Sequence, residues 1–194
     1  IGLLFCAPHS VGQAADQVVA KPTPSMADWP RWRGPNADGV ADGRNLPIRW
    51  SQTENVRWSL KLPGWGTSSP VVYRGRVFVT SQQAEGGKKS LLTLCFDQTD
   101  GRELWRHDFG FGVDQQTNPK SNLAANTPAI TEDAVYVAFG NADIARYSHD
   151  GKLIWVTRYI PTFGDPKMAW GHNLSPLVVD DAAVVQSAQH AGRA

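Results

Sequence analysis

Cysteine is nearly absent from these 194 residues. Only Cys6 and Cys95 occur, so no disulfide framework of the kind that staples small exported domains is available. The five histidines are His9, His107, His149, His172 and His190. None falls at His-x3-His spacing, and no Cys-x2-Cys is present, so a structural metal is not expected. Charge of one sign is lacking too. Nineteen Lys and Arg meet eighteen Asp and Glu, a formal net charge of +1. That balance argues against nucleic acid or an anionic membrane as partner. No stretch is apolar for the ~20 residues a membrane-crossing helix needs. No nucleophile elbow, phosphate loop or dinucleotide fingerprint occurs either. Gly110-Phe-Gly112 precedes no helical pattern.

What is present is repetition. Asp97-Gln-Thr-Asp-Gly101-Arg102-Glu-Leu-Trp105 returns as Ser148-His-Asp-Gly151-Lys152-Leu-Ile-Trp155, with 50 residues between the tryptophans. Upstream of each copy lies a hydroxyl residue, a proline and two β-branched runs. The three versions open on Ser69-Pro70, Thr127-Pro128 and Ser175-Pro176. Val71-Val72-Tyr73 and Val77-Phe78-Val79 flank Arg74-Gly75, which reads as a tight antiparallel hairpin. Glu132-Asp133 and Asp180-Asp181 stand at the same turn later on. A third strand is expected at residues 91–96 and 143–147, then a turn at Asp100-Gly101 or Asp150-Gly151, where glycine takes positive φ without a Cβ clash. A fourth strand carries Trp105 or Trp155. Short strands recurring every ~40–50 residues mark the blades of an all-β propeller.

The motif Ala-x-Asp-x-x-x-Gly-Lys-x-x-Trp resembles the PQQ-like, quinoprotein-type β-propeller repeat. The first copy offers Cys95, Asp97, Gly101, Arg102 and Trp105. The second, one residue shorter, offers Ala145, Ser148, Gly151, Lys152 and Trp155. The entrance Asp28-Trp29-Pro30-Arg-Trp32-Arg-Gly34-Pro35-Asn36 and the later Trp50 and Trp58 resemble an exported bacterial subset of that family. The resemblance implies that Gly101, Trp105, Gly151 and Trp155 dock each blade on the next. Quinoprotein dehydrogenases of the family hold PQQ with an adjacent-cysteine disulfide, a Ca²⁺ bound by Glu and Asn, and a catalytic Asp. No adjacent cysteines exist here, and no carboxylate takes the base role by motif. No cofactor is therefore expected, PQQ with calcium being the alternative.

A ring of seven or eight blades is expected, and at roughly 45 residues per blade eight blades need about 360 residues. This chain accounts for two and a half blades, so a partial propeller is expected. Residues 1–15 read as the remnant of a signal peptide, with Gly12-Gln13-Ala14 as cleavage site. Residues 16–27 read as a linker, and residues 28–194 as the incomplete propeller domain. Export to the periplasm or beyond follows from that reading, and Cys6 is a poor match to a lipidation box. Residues 56–60 are expected as a partnerless strand, and residues 82–89 as a long hairpin loop. Three loops lead into inner strands and bring Trp65, Asn122, Asn126, His172 and Asn173 to one mouth. They are candidates for a ligand-holding rim, while the other tryptophans are read as blade packing. The functional expectation is a non-catalytic scaffold that presents one face to a protein or saccharide. The alternative is a PQQ-dependent alcohol or sugar dehydrogenase.

Overall fold

A computed structural model describes residues 2–6 (backbone only), 28–43, 46–85, 87–110, 118–159 and 170–187. β-Branched and aromatic runs punctuated by Gly and Asp turns form eleven strands among them. The first four-stranded sheet is β2 (Val71–Tyr73), β3 (Arg76–Glu85), β4 (Lys88–Asp97) and β5 (Glu103–Asp108), in sequential antiparallel order. The second is β6 (Ala129–Ile130), β7 (Val135–Ala138), β8 (Ile144–Tyr147) and β9 (Leu153–Thr157), in the same order. Each is one blade. A third sheet holds β10 (Leu177–Val179), β11 (Ala182–Ser187) and β1 (Gly2–Cys6), ordered β1-β11-β10. The fold is a partial β-propeller of about two and a half blades.

Register repeats with the sequence. Val72 pairs with Val77, Ile130 with Val135 and Val178 with Ala183. In each blade, therefore, the residue two past the proline faces the one five further on. Arg74 and Asp180 take positive φ at their turns, 48° and 51°. Asp is among the residues that tolerate this region best.

The core is divided by interface. Between the first two blades lie Val71, Phe78, Leu91, Cys95, Leu123, Val135, Val137 and Tyr147, all fully buried. Between the second and third lie Tyr136, Ala138, Ile144, Ala183 and Val185. Val79, Leu92, Leu94 and Phe96 form a smaller cluster under Leu62 on the outer flank of the first blade. β4 is buried on both faces over most of its length, so its run Leu-Leu-Thr-Leu-Cys-Phe is continuous rather than alternating.

Three expectations are corrected here. Residues 82–89 are not a long loop. β3 runs to Glu85 and β4 starts at Lys88, with Glu85 facing Lys88. Polar residues suit this overhang because its ladder hydrogen bonds satisfy the backbone in solvent. Residues 56–60 form no strand, since no neighbouring ladder receives them. The alanine place of the second repeat belongs to Arg146, not Ala145. Cys95 faces Trp105 and Arg146 faces Trp155, with a bulge following in both blades. Gly2–Cys6, expected as part of a leader, pairs antiparallel with β11 from Gly2↔Ser187 to Cys6↔Ala183.

Candidate functional site

Strands β2, β6 and β10 all start on one face of the propeller and end on the other. On the far face the blades are joined through tryptophan. A Cβ built on Gly101 would lie 2.7 Å from the Trp58 ring, and one on Gly151 would lie 2.7 Å from the Trp105 ring. Both glycines also take positive φ, 75° and 89°, so side chains are excluded twice over. Each indole N–H donates to a carbonyl of the turn it covers. Trp58 bonds Gln98 O and Trp105 bonds His149 O, both at 2.9 Å. Trp58 and Trp105 are half-buried rather than enclosed, and so is Trp155. Trp155 packs edge-on against Tyr136 at 6.3 Å, beside the third sheet.

The same face carries a strap from the N-terminal segment. Trp29 exchanges both backbone hydrogen bonds with Val72 along the free inner edge of β2, and Pro30 O accepts the Ile130 N–H at 2.7 Å. Asp28, buried, accepts the Arg74 N–H at 2.9 Å. Residues 28–30 thus cross from the first inner strand to the second.

On the entry face the loops before Pro70, Pro128 and Pro176 are stitched together. The Ser69 N–H donates to Thr127 Oγ1 at 3.1 Å, and the Thr127 N–H donates to Ser175 Oγ at 3.0 Å. The hydroxyl residues that precede Pro128 and Pro176 are therefore the acceptors for the blade before each. The repeated Ser/Thr-Pro pair was the available signal for this relay, and sequence reasoning did not use it.

The five expected rim residues separate into two groups. Asn122, Asn126 and His172 are buried and pin loops. Asn122 Oδ1 accepts the Ala124 N–H at 2.8 Å, while its Nδ2 donates to Thr67 Oγ1 at 3.4 Å. Asn126 Nδ2 donates to the carbonyls of His172 and Leu174 at 2.8 and 2.9 Å. The His172 N–H donates to Gly140 O at 2.7 Å, and its ring lies 5.8 Å from that of Tyr159. Trp65 and Asn173 stay at the surface. Trp65 is 47% exposed and its backbone exchanges two hydrogen bonds with Gln82 on the β3 overhang. Asn173 Nδ2 donates to Trp170 O at 2.8 Å and to Ser121 Oγ at 3.2 Å. Trp170, read from sequence as packing, is 52% exposed and belongs with Trp65. Its position six residues before Pro176 was the signal, since that is where the entry loop turns outward.

Beneath this rim lies a buried polar knot. Asp143 accepts from Asn141 Nδ2 at 2.9 Å, Arg158 Nη1 at 3.0 Å and the Tyr159 N–H at 2.8 Å. Arg158 also donates to Phe109 O at 2.7 Å and lies over the Phe109 ring at 4.5 Å. It ties the end of the first blade to the second. Burial pushes the Tyr147 hydroxyl and the Cys95 thiol each up to about 12, so both stay protonated and act as packing groups. Among the described residues no group of three or more His, Cys, Asp or Glu comes together as a cation site. No helix among them is long and apolar enough to cross a membrane.

No curated relative matches the chain. The solved structure of BamB from Moraxella catarrhalis is similar at 16% identity and a TM-score of 0.34, covering 63% of this chain and 46% of that one. The chain thus spans less than half the length of that protein. The family model described as outer membrane protein assembly factor BamB matches residues 39–194. That span takes in the Trp58 and Trp105 joints, both complete blades and β10–β11, and on it the chain belongs to the BamB family of PQQ-like β-propeller repeat proteins.

Proposed function

We propose that this protein is an extracytoplasmic scaffold that holds another protein on its entry face during outer-membrane protein assembly, and that it catalyses no reaction of its own. The carrying observation is the pair Trp65 and Trp170, about half exposed on loops whose backbones are fixed by hydrogen bonds. Tryptophans on a pre-ordered backbone make strong anchors for protein contacts, because little side-chain entropy is lost on binding. The family description supplies the process, assembly of outer-membrane proteins. The same description, which concerns the outer membrane, supports a place outside the cytoplasm. The reading includes neither PQQ nor calcium.

The test is capture of outer-membrane assembly components from detergent extracts by the protein and by a Trp65→Ala/Trp170→Ala double variant. The reading expects capture by the parent and its loss in the variant, with the far-UV spectrum unchanged. Full capture by the variant overturns the entry face as the site. Binding of a polysaccharide resin, lost in the same variant while protein capture is absent, replaces the protein partner by a saccharide.

A further inference from the structure

We propose that His149 makes the joint between the first two blades acid-sensitive, the neutral imidazole holding it closed and the imidazolium loosening it. His149 lies in the turn between β8 and β9, the turn that Trp105 covers. Its backbone carbonyl accepts two donors from the first blade, the Trp105 indole at 2.9 Å and the Arg76 guanidinium. Its ring packs on Tyr73, also of the first blade, with centroids 5.4 Å apart. Its Nε2 lies 3.1 Å from Thr131 O. A carbonyl only accepts, so the neutral ring carries its hydrogen on Nε2. An added proton must go to Nδ1.

The Thr131 and Glu132 backbones favour the charged ring, but burial and two arginines outweigh them. From the first blade, Arg74 and Arg76 act on the ring with like charge. From the β6–β7 turn comes Glu132, but its carboxylate is already paired with Arg74 at 3.2 Å. Asp150 is held by the Ser148 hydroxyl. Tyr73 stays neutral, its hydroxyl raised by burial, and Asp28 and Asp133 act on Tyr73. Burial first, and after it the Arg76 charge, hold the imidazole below its ordinary 6.5. The unfolded chain therefore binds the proton more readily than the folded one. The contribution of neutral His149 is fully present above about 6.5 and is lost as pH falls through the lower folded value. The loss falls on the turn that seats Trp105 on Gly151, so the ring and the docking contact yield together.

Thermal midpoints of the full chain between pH 7.5 and 5, for the parent and for His149→Gln, test this. Glutamine keeps an N–H for Thr131 O and cannot ionise. The parent is expected to lose several degrees more than His149→Gln across that range. Equal losses overturn the proposal. An imidazole titration of His149 by NMR in the parent decides independently, even if the variant does not fold. A value below 6.5 supports the latch, and one at or above 6.5 overturns it.

Discussion

Glycine under tryptophan is the smallest unit of this architecture, and its energetics can be checked one residue at a time. Trp105 is half-buried and donates one hydrogen bond. Trp105→Ala should cost about 2–3 kcal/mol by denaturant titration, less than the ~3–5 kcal/mol of a fully enclosed aromatic. Gly151→Ala should cost more than about 1 kcal/mol, because its Cβ meets the indole and its φ of 89° is strained for alanine. Cys95 has 0% exposure and a thiol raised by burial to about 12. In a Cys6→Ser background it should not react with a thiol reagent at pH 8 until the chain is unfolded. Gly101, Trp105 and Gly151 could be singled out in the sequence because no other residue type does their work. Asn122, Asn126 and His172 could not be separated from rim ligands there. An asparagine that binds a neighbouring loop and one that awaits a ligand look alike until the carbonyls 2.8–2.9 Å from Asn126 Nδ2 are seen.

At the scale of elements, the strands follow their β-branched runs closely, and the misreadings concern segments whose pairing composition does not settle. Residues 82–89 look like a loop by composition. Yet Gln82 to Glu85 pair with Lys88 to Leu91, because the ladder asks only for backbone partners. Residues 56–60 look like a strand by composition, yet lack a ladder. Pairing, not propensity, decided both. The hydroxyl relay gives the test at this scale. Thr127→Val keeps the shape but leaves the Ser69 N–H without its acceptor at 3.1 Å. It should cost about 1–2 kcal/mol, and Thr127→Ser should restore most of it. Equal melting of Thr127→Val and the parent would show that the relay carries no stability.

For the molecule as a whole, the propeller could be read from its period, since all three sheets repeat the proline and the turn and both complete blades repeat the tryptophan. Function was less legible, because Trp32, Trp50 and Trp170, read as blade packing but exposed, share one letter with the half-buried docking tryptophans. The protein, reconstituted with PQQ and Ca²⁺ and dialysed, is expected to show no quinone absorbance and no dye-linked alcohol oxidation. Stoichiometric retention would restore the dehydrogenase reading. The relay from Ser69 to Thr127 to Ser175 has a wider consequence. The second blade gives on one side the bond it receives on the other, and both bonds run in the same rotational sense. At Thr127 donor and acceptor are one residue, so the seams on either side of the second blade are chemically alike. Copying or deleting a whole blade leaves no orphaned group at this seam. The seam therefore does not count. The circumference is left to close where accumulated tilt brings the last unit round to the first, and a lineage of such proteins can change its blade number without redesigning a single junction.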